Sequence, residues 1–511
     1  MAGNAQLIVH RRSHHLMLLP QSDTAVVIIE GFCRRLIEYS LVPDQGKAKE
    51  VATQVYAVNR LKGKEYRIHF NLYTDFINFV GNKITYEIID DAPVEGEDID
   101  LPLFDTWELK EKQIPFFEYA KYTPKLWENP NRILTCQPGA GKSFILMKTM
   151  SEYHKRTLLI MRSTFMFNFE KELWNTFNIT KDKVITISGS EELIKFLNDV
   201  KNNTFDKYIV MISNKTFYFY LQLYVRSTLE VFLENYPITP DELFTLAKFG
   251  FRAIDEVHLD FHFNHRVDLF TNVTKSLSLS ATLVPNKNHF LSYIQNVTYP
   301  IKDRFVQENL NVYVNAYAMF YNLEKPNKAK YSNGVFYSHN TFEKYILSDK
   351  KVLKNYVEYI KMCIDFLYIK NRVPGEKFIV FVSSGNMGKY MQLKFQSIYE
   401  DLIVGRYIRK FSDNKSVLED SDIIFSTLLS CGTAVTVPRL GGVFLSHAID
   451  SEASNLQGFG RIRELDNGTV HKFGYAVCHD IRSHVSYHRS KKEYLLNRVN
   501  QLQEVQTRIY V

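Results

Sequence analysis

The distribution of apolar residues predicts strands and helices that alternate over most of the chain. Between residues 101 and 300, short β-branched runs alternate with segments in which apolar positions recur at helical spacing. The predicted strands there are 157–161, 183–187, 208–212, 251–254 and 276–280, and residues 191–200 form a predicted helix. Because this alternation is typical of a parallel sheet covered by helices, the region is predicted to have an α/β fold.

The same alternation returns between residues 301 and 480. Strands are predicted at 312–318, 378–382, 422–425 and 442–445, a long amphipathic helix at 350–368, and a loop or hairpin insert at 322–340. The coarse architecture is therefore two successive α/β domains, 101–300 and 301–480. Residues 481–511 are predicted to form a helical tail.

Residues 1–100 are predicted to form an N-terminal α+β accessory domain that binds DNA. The pattern predicts strands at 7–9, 25–29 and 66–72, a short helix at 31–39 and an acidic linker at 90–100. A basic cluster is formed by Arg11, Arg12, His14 and His15. It could contact phosphate, but a solvated loop is the favoured interpretation.

Composition and charge narrow the function classes only slightly. The chain has 63 Lys and Arg residues against 56 Asp and Glu residues, a formal net charge of +7, which permits a polyanionic partner without requiring one. None of the five cysteines forms a CxxC pair, so neither a zinc site nor a disulfide framework is indicated. No apolar run approaches the ~20 residues of a membrane span, and no signal-peptide core precedes residue 12. We expect a cytoplasmic or nucleoid-associated protein without a membrane partner.

The segment from residue 132 to residue 148 carries the clearest chemical signal. An apolar, β-prone run at 132–135 meets a Gly-containing turn, and a helix-prone run follows it. In this context backbone N–H groups and a helix N-terminus can bind phosphate, a lysine can neutralise its charge and a serine hydroxyl can bind Mg²⁺. The predicted nucleotide-binding residues are Pro138, Gly139, Ala140, Gly141, Lys142 and Ser143. Cys136 stands where the phosphate-loop pattern has glycine.

An acidic pair lies far downstream, at the end of a predicted strand. Asp255 and Glu256 follow the apolar run 251–254, where a doubly wound sheet places its ligand crevice. Asp255 is a candidate Mg²⁺ ligand, and Glu256 is a candidate for polarising the attacking water. An acidic loop that caps a helix is the alternative.

Four motifs together resemble those of superfamily 2 DExH-box helicases. They are Gly139-Ala140-Gly141-Lys142-Ser143, Asp255-Glu256-Val257-His258, Ser280-Ala281-Thr282, and the segment from Gln457 to Arg463 with the sequence QGFGRIR. The resemblance covers about residues 105–470. It implies two RecA-like domains that share ATP and Mg²⁺, with nucleic acid across both.

The resemblance also implies roles for individual residues. Lys142, Glu256, Gln457, Arg461 and Arg463 match catalytic positions. Further matches are Gln113 for adenine recognition, Ser280, Ala281, Thr282 and His258 for coupling hydrolysis to domain movement, and Thr427 and Gly432 for the nucleic-acid backbone. Arg162 and Lys215, which follow strands of the first α/β domain, are candidates for phosphate contacts, and a solvated face explains them equally well. Glu464 occupies the usual place of the second arginine, so the choice between Arg461 and Arg463 as arginine finger stays open.

Within the superfamily, the extra N-terminal domain and the segment 132–143 are similar to phage recombination helicases of the UvsW kind. That resemblance implies a DNA helicase, expected to be monomeric, that remodels forks, R-loops and Holliday junctions. Two alternatives stay open. One is an RNA helicase, and the other is a nucleic-acid-binding scaffold with little turnover, which only Cys136 and Glu464 support.

Overall fold

The computed structural model describes most of the 511-residue chain and divides into two compact units. The described residues are 5–44, 47–61, 64–137, 139–281, 289–307, 312–334, 336–408, 416–431, 437–462, 465 and 470–511. The first unit comprises Met1–Ser40 and Glu50–Gln307, and the second comprises Leu41–Lys49 and Glu308–Val511. The N-terminal region therefore shares a compact unit with the first α/β region.

The N-terminal region contains a mixed five-stranded sheet in the order β5-β6-β2-β1-β7. Strand β1 pairs antiparallel with β2 and parallel with β7. The elements are β1 (Leu7–Arg11), β2 (His15–Pro20), α1 (Asp23–Cys33), β3 (Ile37–Asp44), β4 (Lys47–Gln54), β5 (Ala57–Asn59), β6 (Glu65–His69), α2 (Tyr73–Val80) and β7 (Tyr86–Asp90). Strands β3 and β4 form a separate two-stranded ribbon.

The predicted strand at residues 25–29 is wrong, because this apolar run lies within helix α1. The Ser22 side chain accepts a hydrogen bond from the backbone N–H of Ala25 and so caps the helix. The buried residues Ala25, Ile29, Phe32 and Cys33 recur at helical spacing. The predicted helix at 31–39 is also wrong: α1 ends at Cys33, a short 3₁₀ turn follows, and β3 begins at Ile37.

The basic cluster near residue 12 is not a solvated loop, because its two histidines are buried and Arg12 is paired. His14 and His15 are fully buried, and burial keeps the pKa of each imidazole well below its usual value. His14 Nε2 lies 2.7 Å from the Ser276 hydroxyl oxygen. Arg12 pairs with Asp91 and with Asp241. These side chains therefore attach the N-terminal sheet to the first α/β region.

The first α/β region is a sheet of seven parallel strands in the order β10-β11-β9-β12-β13-β8-β14. Its strands are β8 (Asn131–Thr135), β9 (Thr157–Met161), β10 (Val184–Ile187), β11 (Ile209–Ser213), β12 (Phe251–Ile254), β13 (Lys275–Ser280) and β14 (Arg304–Val306). Its helices are α3 (Ile114–Lys121), α4 (Lys142–Tyr153), α5 (Ser163–Thr176), α6 (Ser190–Lys201), α7 (Asn214–Arg226), α8 (Leu229–Asn235), α9 (Pro240–Leu246), α10 (Phe261–Asp268) and α11 (His289–Thr298). The central strands are buried on both faces, as parallel sheets require.

The second unit contains another sheet of seven parallel strands, in the order β19-β20-β18-β21-β22-β15-β23. Its strands are β15 (Val314–Asn322), β18 (Lys377–Phe381), β19 (Val404–Tyr407), β20 (Ile423–Ser426), β21 (Leu440–Leu445), β22 (His471–Cys478) and β23 (Gln501–Tyr510), and β16 (Ser332–Asn333) and β17 (Phe336–Tyr337) form a hairpin. Its helices are α12 (His339–Ser348), α13 (Lys350–Leu367), α14 (Gly385–Gln396), α15 (Ser416–Asp420), α16 (Leu428–Cys431), α17 (Glu452–Phe459) and α18 (Arg482–Leu495). The predicted α/β class with two RecA-like sheets and an N-terminal α+β region is confirmed.

The predicted helical tail is wrong for its last residues. Helix α18 ends at Leu495, and Gln501–Tyr510 form strand β23, which pairs in parallel with β15 at the edge of the second sheet. Val505, Thr507 and Ile509 are half-buried and alternate with exposed residues, so the segment has the period of a strand. No helix among the described residues has the length and apolar character needed to cross a membrane.

Candidate functional site

The phosphate-loop residues lie between strand β8 and helix α4, at the carboxyl edge of the first parallel sheet. Gly139 and Gly141 have φ angles of +85° and +88°, the left-handed region that favours glycine. Gly141 is the residue before the first turn of α4, so Lys142 and Ser143 open the helix. This geometry directs the N-terminal end of the helix to the loop and favours an anion there. Pro138 lies outside the described residues.

Gln113 supports the loop from outside. Its side-chain oxygen accepts a hydrogen bond from the Lys110 N–H at 3.1 Å, and its Nε2 donates to the Ala140 carbonyl at 3.1 Å. A Cβ on Gly141 would lie only 2.1 Å from Gln113 Nε2 and would displace the end of that side chain, while the φ angle of +88° favours glycine at this position. The structure brings Gln113 to the loop, and adenine recognition by Gln113 stays a prediction.

Cys136 fits the loop without the glycine that the pattern expects. Its φ angle is not positive, so this position does not require the left-handed conformation that favours glycine. Its side chain is buried, and burial raises the pKa of the thiol to about 11. Its carbonyl oxygen lies 3.3 Å from Lys142 Nζ. The hydrogen bond of Cys136 with Lys142 is therefore made by its backbone carbonyl, while its side chain is buried.

Lys142 and Glu256 face each other although they lie far apart in the chain. Lys142 Nζ is 3.6 Å from Glu256 Oε1. Burial disfavours the charged ammonium, but the attraction of Glu256, Cys136 and Asp255 outweighs it and raises the pKa of Lys142. The lysine is thus held as a cation at the mouth of the loop, where a phosphate group would gain most from it.

Asp255 follows strand β12 at the same edge of the sheet. Its N–H donates to the Ile160 carbonyl at 3.0 Å, and its Oδ1 accepts the Glu256 N–H at 3.0 Å. Burial and the negative charge of Glu256 raise the pKa of the Asp255 carboxyl, because Lys142 compensates that charge only in part. A divalent cation would supply the missing positive charge, so Asp255 and the Ser143 hydroxyl suit the hard oxygen ligation of Mg²⁺.

The predicted coupling residues meet Glu256 directly. His258 Nδ1 lies 2.8 Å from Ser280 Oγ and 3.3 Å from Glu256 Oε2. Because a carboxylate only accepts, a proton on Nδ1 is needed for the contact with Glu256, and the Ser280 hydroxyl shares that same N–H. The Ala281 N–H donates to Glu256 Oε2 at 3.3 Å. The end of strand β13 is therefore connected to the acidic pair, while Thr282 lies outside the described residues.

The two candidate phosphate-binding residues of the first unit differ in their surroundings. Arg162 follows strand β9, and its guanidinium makes a bidentate ion pair with Asp260, at 2.6 and 2.8 Å. Lys215, in the first turn of α7, is exposed, with Nζ 5.8 Å from the centre of the Phe219 ring. Contact of either residue with nucleic acid stays a prediction.

The predicted site residues of the second unit are only partly described. Gln457 lies in helix α17, and Arg461 is half-buried in the turn that follows this helix. Thr427 precedes helix α16, and its hydroxyl oxygen lies 2.8 Å from Ser430 Oγ. Gly432 and Arg463 lie outside the described residues. The roles of all five residues stay predictions.

Three residues at the site were missed by sequence reasoning. Asp260 holds Arg162, the Asn264 amide donates to the Val257 and Leu259 carbonyls at 3.0 Å, and the Gln307 side-chain oxygen accepts the Gln137 N–H at 3.0 Å. Asp260 and Asn264 closely follow the DEVH motif, which was the one available signal. Nothing in the sequence pairs Gln307 with the loop.

No protein-family model matches the chain, and no curated protein matches it. Several solved helicase structures are similar to it. S. cerevisiae Dbp5 bound to RNA and ADP-BeF3 is 11% identical, with 78% of this chain and 90% of that chain covered and a TM-score of 0.49. T4 UvsW is 16% identical, with 98% and 99% covered and a TM-score of 0.32. Mycobacterium smegmatis helicase Lhr bound to ssDNA and AMP-PNP is 13% identical, with 78% and 50% covered and a TM-score of 0.47. The chain thus resembles helicase structures at low sequence identity.

Proposed function

We propose that this protein is an ATP-driven DNA helicase or translocase that remodels branched DNA such as forks and Holliday junctions. The single observation that carries the ATPase assignment is the approach of Lys142 Nζ to Glu256 Oε1, 3.6 Å, beside a loop with two left-handed glycines. A chance Gly-Lys-Ser turn would have no reason to face the acidic pair of another strand. The preference for branched DNA is inferred from the motif resemblance.

In the proposed reaction, Lys142 binds the β- and γ-phosphates and Glu256 orients the attacking water. Glu256 is held for this role by Ala281 and His258, so the carboxylate is oriented before the substrate binds. Lys142 exchanges its contact with Glu256 for one with phosphate when ATP enters. Mg²⁺, held by Ser143 and Asp255, would neutralise the developing charge on the phosphates.

The residues of the second unit complete the proposal. Arg461 and Arg463 are the candidates for stabilising charge on the γ-phosphate, with Gln457 beside them in sequence. Thr427 and Gly432 are the candidates for the nucleic-acid backbone. Contacts of this kind are sequence-tolerant and weaken as salt rises.

The test is ATPase activity with and without forked DNA, single-stranded DNA and RNA. Wild-type protein should be stimulated most by forked DNA. Lys142→Ala should lower the rate by at least about 10²-fold, because a preorganised charge on the phosphate is lost. Lys148→Ala is the matched control, since Lys148 lies on the same helix and pairs with Glu152. A wild-type ATPase rate in Lys142→Ala, or no stimulation of the wild-type protein by any nucleic acid, would refute the proposal. Stronger stimulation by RNA than by DNA would show that RNA is the substrate.

A further inference from the structure

Three segments of the first unit meet at Asp260, and each follows a strand of the parallel sheet: the junction of β9 and α5, the start of α7 and the turn after β12. Arg162 comes directly after β9, Asn214 directly after β11, and Asp260 closes the turn that follows β12. The carboxylate accepts two hydrogen bonds from Arg162, at 2.6 and 2.8 Å, and one from Asn214 Nδ2 at 3.2 Å. Asp260 therefore connects the junction of β9 and α5 and the start of α7, where the candidate phosphate contacts Arg162 and Lys215 lie, to the segment that carries the acidic pair.

Asp260 is built into its turn through its backbone. Its φ angle is +58°, in the left-handed region that few residues other than glycine adopt. Its carbonyl accepts the N–H groups of Phe263 and Asn264, at 2.8 and 3.2 Å, at the start of α10. The buried Asn264 amide donates back to the carbonyls of Val257 and Leu259. The turn from Val257 to Asp260 is thus hydrogen-bonded to α10 and should move as one piece.

The other side of this turn touches the proposed catalytic residues. His258 lies within hydrogen-bonding distance of Ser280 and Glu256, and Glu256 faces Lys142. A continuous set of contacts therefore runs from the Arg162 guanidinium, through Asp260 and its turn, to the lysine of the phosphate loop. A change at either end has a physical route to the other.

The Arg162–Asp260 pair lies at the surface, where another anion can reach it. The Arg162 side chain is 33% exposed and the Asp260 side chain 28%. Asp260 occupies the bidentate fork of the guanidinium, which fits carboxylate and phosphate oxygens equally well. A backbone phosphate at this edge would therefore compete with Asp260 for the same N–H groups.

We propose that Asp260 and a nucleic-acid phosphate compete for the Arg162 guanidinium. Binding of a nucleic-acid strand would in this way change the hydrogen bonds of the turn that positions Glu256. This inference rests on the proposed function. Without bound nucleic acid, Arg162 pairs with Asp260 and keeps the turn in its resting position. With a nucleic-acid strand bound, the Asp260 carboxylate loses Arg162 but keeps, among its described hydrogen bonds, the one from Asn214, and the turn that contains His258 is released to reposition Glu256. Asp260 is thus a positioning residue and touches neither substrate.

The test compares Asp260→Asn with Arg162→Gln. Each protein is assayed for ATPase activity with and without single-stranded DNA, and for DNA affinity at several salt concentrations. Both substitutions should raise the basal ATPase rate, because both release the turn, and both should lower the stimulation by DNA. They should shift DNA affinity in opposite directions, by about tenfold each, as expected for a charge-assisted hydrogen bond. Asp260→Asn should bind more tightly, and Arg162→Gln more weakly, with a salt slope reduced by about one.

Asp206→Asn is the matched control, since Asp206 precedes strand β11 at the opposite edge of the sheet and pairs with Lys183 and Lys207. Its basal ATPase rate, its stimulation by DNA and its DNA affinity should equal those of the wild-type protein. A purely structural role for Asp260 predicts that both test variants lose DNA affinity together, and that result would overturn the inference. Unchanged stimulation of the ATPase by DNA in Asp260→Asn would also overturn it. If Asp260→Asn does not fold, Arg162→Lys replaces it as the test. Arg162→Lys should raise the basal ATPase rate and retain the salt slope of DNA binding. A wild-type basal ATPase rate in Arg162→Lys would overturn the inference. If wild-type protein shows no stimulation, the proposed function itself fails.

Discussion

The contact of the N-terminal sheet with the first α/β region should depend on Asp241. This residue of α9 accepts hydrogen bonds from Arg67 at 2.8 and 2.6 Å, from Arg12 at 2.6 Å and from the Tyr224 hydroxyl at 2.8 Å. Arg67 is 1% exposed. In Asp241→Asn the amide would present N–H groups to these donors, and Arg67 would keep only Glu65 as a charged partner among its described contacts.

The expected cost is about 3–5 kcal/mol, the usual effect of breaking a buried ion pair by removing one partner. Amide hydrogen exchange in strands β2 and β6 should therefore be about 10²- to 4 × 10³-fold faster in the variant, because each 1.4 kcal/mol of opening free energy corresponds to a factor of ten. Asp90→Asn is the matched control. Its pair with Arg11 is 43% exposed on the carboxylate side, so a cost of about 0–1 kcal/mol is expected.

The destabilisation caused by Asp241→Asn should also depend on pH. Burial by itself raises the pKa of Asp241, but Arg67 and Arg12 outweigh burial and hold the pKa well below its usual value. A carboxyl with a lowered native pKa stabilises the protein above its unfolded pKa, about 4, and this contribution is lost as the pH falls. The difference between wild type and Asp241→Asn should therefore narrow below about pH 4. Exchange in β6 that changes no more than in Asp90→Asn would refute the reasoning.

Three further substitutions test the phosphate loop and the acidic pair. Glu256→Gln should retain ATP binding while hydrolysis falls by about 10²-fold or more, and equal single-turnover rates would argue against its role in orienting water. Gly141→Ala should weaken nucleotide binding, because φ is +88° and the new Cβ would meet Gln113. Gly189→Ala is the control: its nearest neighbour would be Glu192 Oε2 at 3.8 Å, an ordinary contact, so nucleotide binding should be unchanged in the same titration. Cys136→Ala should retain ATPase activity, since the hydrogen bond of Cys136 with Lys142 is made by the backbone carbonyl, which alanine also has. A large loss of activity would show that the thiol matters.

The parallel sheets were predictable because buried central strands are apolar throughout their length. The run at 157–161 is buried at every position and was predicted with its observed bounds. The run at 25–29 is equally apolar, yet it forms a helix, because Ser22 caps it and its buried face has helical spacing. A short apolar run does not distinguish strand from helix by itself. Strand β23 was missed for a different reason, since its alternation is weak and it becomes visible only beside β15.

The sequence by itself identified the residues that are proposed to carry the chemistry. The left-handed glycines, Lys142 and the acidic pair Asp255–Glu256 were all identifiable from residue type, spacing and position after a strand. Only the tertiary structure decided their partners. His14 reaches Ser276, Arg162 reaches Asp260 and Lys142 reaches Glu256, each across a long stretch of chain. A local pattern records the backbone geometry of its own segment, whereas an ion pair depends on which strand ends the sheet brings to the same edge, and strand order is a property of the whole fold.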